Sequence, residues 1–200
     1  MTSHTVGLLQ PPVHEDDHID GNQHASITLV EYGDYQCEHC ARAHPIIARI
    51  RHNMGETLRF VFRNFPLKEM HPNALHAAMA TESVAAHHDT PMYWAMHDMI
   101  YEHQQDSEAA LDDSHLANYA AAVGANAAQV TQDLVDNTFE ERVRADFLSG
   151  VRSGVNGTPT FYINGVRFDG DWSDEHAFIA TLKQAPLDPP HGAPHTISGE

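Results

Sequence analysis

The chain is poor in cysteine and in positive charge. Cys37 and Cys40 are the only cysteines in 200 residues. Two are too few for a disulfide scaffold, so stability must come from packing. Lys and Arg number 11 against 28 Asp and Glu, which argues against nucleic acid or an anionic membrane surface as a main partner. No apolar run approaches the length of a membrane span. The stretch Met1–Gly7 lacks the basic start and apolar core of a secretory signal, so a cytoplasmic protein is expected. No internal repeat is apparent, and the length suits one domain carrying an insertion. Histidines are many, 17 in all, but scattered.

The two cysteines sit in Glu31-Tyr-Gly-Asp-Tyr-Gln-Cys37-Glu-His-Cys40. A strand-like run, Ile27 to Tyr32, leads in, and Gly33-Asp34 breaks it. A helical pattern follows, with Cys40, Ala43, Ile47, Ile50 and Met54 at helical spacing and Pro45 inside. A Cys-x-x-Cys where a strand hands over to a helix suits thiol–disulfide exchange. Unpaired N–H groups and the positive end of the helix dipole favour a thiolate on the first cysteine. The second, one turn on, can resolve a mixed disulfide.

Ahead of this motif, residues 1–24 are polar and read as a loose arm with a turn at Asp20-Gly21. Beyond it, Leu58 to Phe65 has strand composition. Residues 67–154 read as almost wholly helical. Helices are expected after Pro72, after a Thr90 cap, around Leu116, after an Asn126 cap and from a Thr138–Glu141 capping box. Strands return at Thr158 to Ile163, where Asn164-Gly165 is a favoured hairpin turn into Val166–Phe168. Ser173 is expected to cap a last helix, and the proline-rich 186–200 to be a disordered tail. The fold class is therefore α/β: a small mixed sheet built from 25–66 and 155–185, interrupted by an all-helical subdomain.

With Cys37-Glu-His-Cys40, Arg63-Asn-Phe-Pro-Leu67 with His71-Pro72, and Gly154-Val-Asn-Gly-Thr-Pro159-Thr-Phe-Tyr-Ile-Asn-Gly165 together, the chain resembles the DsbA-like thiol–disulfide oxidoreductases. The resemblance covers about residues 25–185. It implies a thioredoxin-like fold with a helical insertion, and a cis Pro159 that faces the cysteine pair with Thr158 before it. A peptide substrate would dock there as an added strand. The sequence departs from the oxidising members at Glu38, where proline is common, and a carboxylate there should oppose a Cys37 thiolate.

Each role has a plainer rival. Cys37 is the expected nucleophile and Cys40 the resolving thiol, against two buried structural cysteines. His39 would favour the Cys37 thiolate as an imidazolium or hydrogen-bond donor, against an exposed ring of little effect. Glu31 would lie beneath the cysteines and shuttle the Cys40 proton, against an outward-facing strand residue. Cys37, His39 and Cys40 lack the second ligand pair of a closed zinc site, and His71 with His76, the His87-His88 pair and His97 with His103 do not stand at the i, i+4 spacing of zinc enzymes. No metal and no dissociable cofactor are expected. Expected partners are thiol- or disulfide-bearing proteins, with glutathione as a small-thiol candidate; the sequence carries no signal for an oligomeric state. Two other functions compete: a peptide-binding, chaperone-like module using the groove at Pro159, and a glutathione-dependent transferase or isomerase, against which Cys40 argues.

Overall fold

The computed structural model describes residues 7–186. The elements run β1 (His18–Gly21), β2 (Ile27–Gly33), α1 (Glu38–Met54), β3 (Leu58–Asn64), α2 (Ala74–His87), α3 (Thr90–His103), α4 (Asp113–Ala122), α5 (Ala127–Asp136), α6 (Glu140–Ser153), β4 (Thr160–Ile163), β5 (Val166–Phe168) and α7 (Glu175–Gln184). One five-stranded sheet has the order β1-β3-β2-β4-β5. The crossover through α1 makes β2 and β3 parallel, and β1, β4 and β5 join antiparallel. The α2–α6 block lies between β3 and β4 in the chain.

Alternation along β2 decides which side chains face the cysteines. Leu29 packs in the core that holds Cys40 and the α1 residues Ala43, Ile47 and Ile50, whereas Val30 and Tyr32 belong to the opposite face. Glu31 is therefore on the cysteine side. The buried stripe of α1 is Cys40, Ala43, Ile47, Ile50 and Met54. Each fully buried Ile of this stripe contributes about 1.5–3 kcal/mol. At the end of β2 only glycine fits: a Cβ on Gly33 would stand 2.4 Å from the Phe62 ring.

Three local expectations need correction. Residues 18–21 are not a loose arm but an edge strand paired with β3. The cause is Arg63, 1 % exposed, whose guanidinium donates from Nε and Nη2 to the two Asp17 carboxylate oxygens, each at 2.8 Å. A buried guanidinium demands that counter-charge, and Asp17 holds the segment down. The expected capping box at Thr138 is not formed; Phe139 occupies the cap position of α6 without a side-chain hydrogen bond. Asp89 and Asp174, rather than Thr90 and Ser173, cap α3 and α7. A neighbouring carboxylate accepts the orphan N–H in each case, one residue before Thr90 in α3 and one residue after Ser173 in α7. The tail expected over 186–200 lies, beyond Pro186, outside the described residues.

Candidate active site

The turn before the cysteines is built on Asp34, 1 % exposed. Its Oδ1 accepts from the Gln36 N–H at 2.7 Å, and its Oδ2 accepts from the Leu67 N–H and bonds His71 Nδ1, both at 2.8 Å. Its backbone oxygen accepts from the Cys37 N–H at 3.1 Å. Gln36 Oε1 accepts from the Asn73 N–H at 2.7 Å, so the same turn is fastened to the start of α2. The sequence marks Gly33-Asp34 only as a strand breaker. The available signal was an Asp directly after a strand, the residue that bonds backbone two positions on.

This turn leaves Cys37 as the N-cap residue of α1, with extended backbone and no side-chain cap bond. A cap side chain normally accepts from the second and third helical N–H groups, here His39 and Cys40. A thiolate takes that acceptor role. The Cys37 thiol is lowered to about 5; the Cys40 side chain has the largest effect, burial opposes, and the Thr158 side chain and the Cys40 and His39 backbone N–H groups add to the lowering. Cys40 is fully buried and Cys37 5 % exposed; both are free thiols. Burial pushes the Cys40 thiol well up, and its bond to Cys37 and the charge of Glu31 push the same way. Neighbouring sulfurs thus move in opposite directions.

Glu31 is 3 % exposed. Burial, then the Cys37 charge, raises its carboxyl from 4.5 to about 8, and Arg51 opposes. His39 supplies its backbone rather than its ring: the imidazole Nδ1 accepts from Arg42, and Nε2 lies 3.9 Å from Glu38. Glu38 itself is 74 % exposed, where solvent screens its charge.

Across the site, the Thr158–Pro159 peptide bond is cis, and the Cys37 thiol donates to the Thr158 carbonyl oxygen at 3.5 Å. The Thr158 hydroxyl is buried without a hydrogen-bond partner among the described residues. Gln104 Nε2 on the helical side donates to the Cys37 carbonyl at 3.5 Å. An apolar depression of about 670 Å³ lies elsewhere, between Pro66–Met70 and α6, and none of Cys37, Cys40, Thr158 or Pro159 lines it.

A family model described as thioredoxin matches residues 14–182. The chain belongs to the thioredoxin family. The Na(+)/H(+) antiporter NhaA 1 of Mycolicibacterium vanbaalenii is 36 % identical over 178 residues, 88 % of this chain and 28 % of the antiporter. The chain therefore spans little more than a quarter of the curated relatives it matches. BdbD of Bacillus subtilis superposes with a TM-score of 0.78 at 24 % identity, covering 89 % of this chain and 95 % of BdbD. The thiol-disulfide exchange protein α-DsbA2 of Wolbachia pipientis gives 0.68 at 22 % identity, covering 83 % and 87 %. The DsbA-like fold, a thioredoxin sheet with helices inserted, is the shared architecture.

Proposed function

We propose that this chain is a thiol–disulfide oxidoreductase working through Cys37 and Cys40. The observation that carries the reading is the opposite shift of the two sulfurs, Cys37 down to about 5 at the helix cap and Cys40 well up beneath it. At neutral pH Cys37 is then a thiolate, the attacking form, while Cys40 stays a protonated reserve.

In the reductive direction, the Cys37 thiolate attacks one sulfur of a substrate disulfide. That S–S bond breaks, a Cys37–substrate disulfide forms, and the other substrate sulfur leaves as a thiolate that takes a proton from water. Cys40 then passes its proton to Glu31 in its ionised form, and the Cys40 thiolate attacks Cys37 Sγ to form the Cys37–Cys40 disulfide. The second substrate sulfur leaves, and two electrons have moved from the cysteine pair to the substrate. Reversed, the same steps oxidise a dithiol. A carboxyl titrating at about 8 is matched to proton transfer near neutrality. Thr158 and Pro159 form the wall beside the sulfur where an extended peptide would lie. Substrates are thiol- or disulfide-bearing proteins, with small thiols such as glutathione as exchange partners.

The test is trapping. Cys40→Ala incubated with a disulfide-containing peptide should accumulate a peptide adduct on Cys37, seen by intact mass and reversed by reductant. Cys37→Ser should give none. Absence of any adduct on Cys40→Ala would remove the resolving role, and an equal adduct on Cys37→Ser would remove the nucleophile assignment.

A further inference from the structure

Four residues past Cys40 on α1, His44 turns toward α3, where His97 and Asp98 stand side by side. One donor atom from each of the three lies within 4.8 Å of the others, and the His44 Nε2 to Asp98 Oδ1 distance is 3.6 Å. Two ligands of a tetrahedral zinc with bonds of about 2.0 Å stand roughly 3.3 Å apart. The 3.6 Å gap between His44 and Asp98 is too long for a good hydrogen bond, and the His44 ring has no other hydrogen-bond partner among the described residues. His97 is 2 % exposed, and its Nδ1 is engaged at 2.9 Å by the Tyr35 hydroxyl. That contact is the outer partner that orients a metal-bound imidazole and fixes its tautomer. It leaves Nε2 as the nitrogen for an ion.

We propose that His44, His97 and Asp98 form a site for a divalent transition ion, with water completing its coordination. Two imidazoles and one carboxylate suit zinc, and copper or nickel as competitors, rather than calcium or magnesium. Burial keeps both rings in the neutral, ligand-competent form, His44 lowered to about 4 and His97 lowered well below the ordinary histidine range. The nearby charge of Arg51 is engaged by Asp20 at 2.6 Å. Access is from the Asp98 side, which is 44 % exposed. The ion would clamp α1, the helix that presents the cysteines, to the first long helix pair of the insertion. Sequence spacing hides the site, because His44 and His97 come from different helices.

The test uses the full chain as Cys37→Ser/Cys40→Ser, so that the thiols cannot take the metal, in equilibrium dialysis against zinc chloride at neutral pH. Expected are one zinc per chain lost in His44→Ala and in Asp98→Asn, each weakening binding at least tenfold, and a zinc-dependent rise in Tm that both variants lose. His76→Ala, which alters an imidazole paired instead with Asp113, should bind as the parent does. Both test positions are partly open to solvent, and circular dichroism checks that each variant is folded; Asp98→Asn decides if His44→Ala is not. Parent protein that binds no zinc, or folded variants that bind as tightly as the parent, would overturn the site.

Discussion

The Cys37 sulfur stands 3.5 Å from the carbonyl oxygen of Thr158, a residue 121 positions later in the chain. The contact joins the two halves of the sheet-bearing unit across the site. It also brings up the Thr158 hydroxyl, which has no partner among the described residues yet helps lower the Cys37 thiol. A donor with nothing to bond in the neutral state is available to the thiolate.

Thr158→Val should therefore raise the Cys37 pKa. Losing one hydrogen bond to a charged sulfur costs about 1.5–3 kcal/mol, or roughly one to two pKa units. The pH dependence of iodoacetamide alkylation measures it, starting from a midpoint at about 5. An unchanged midpoint would remove Thr158 from the site.

Cys37 should add stability to the reduced protein, relative to Cys37→Ser, as pH rises from about 5 toward 9. The folded Cys37 thiol releases its proton at about 5 and the unfolded one near 9. Over that window the unfolded state binds more protons, so unfolding becomes harder with pH. The stability of the parent relative to Cys37→Ser should therefore rise across this window in urea titrations at several pH values. A difference between the two proteins that stays constant with pH would contradict the lowered Cys37 thiol.

Glu31 works in the opposite sense. Its folded carboxyl holds a proton up to about 8, against 4.5 ordinarily, so the folded state binds more protons in between and its stability falls as pH rises. Glu31→Gln should be more stable than the parent above pH 7, by on the order of a few kcal/mol. The gap should close toward pH 4.5, the ordinary value. Release of substrate from the mixed disulfide should slow about a hundredfold or more if the proton route runs through this carboxylate. A stable variant with unslowed release would keep the burial cost and discard the proton role.

Asp17 tests the N-terminal segment. Removing it strands the Arg63 guanidinium, which is 1 % exposed, and breaking such a buried pair costs about 3–5 kcal/mol. Asp17→Ala should lower urea stability by that amount while leaving the Cys37 alkylation midpoint in place. A loss under 1 kcal/mol would mean water reaches Arg63.

Local chemistry made much of this fold legible. Cys37 and Cys40, the α1 stripe and the Asn164-Gly165 turn each announce themselves within a few residues, and the turn has the positive φ values of 48° and 79° that its residue types favour. What was hidden depends on partners far along the chain. β1 is four residues of polar composition, pinned through an Asp17–Arg63 pair 46 positions apart. Asp34 matters because Leu67 and His71 return to it, and the direction of the His39 ring depends on Arg42 and Glu38. No periodicity encodes such meetings.

The most direct measurement is a glutathione redox titration of the full chain, with the Cys37–Cys40 state read by alkylation and mass. A Cys37 pKa of about 5 lies between the values near 7 of thioredoxin and near 3.5 of DsbA. The predicted result is one two-electron transition at a potential between about −270 and −120 mV. Failure to form a Cys37–Cys40 disulfide at any glutathione ratio would contradict the account.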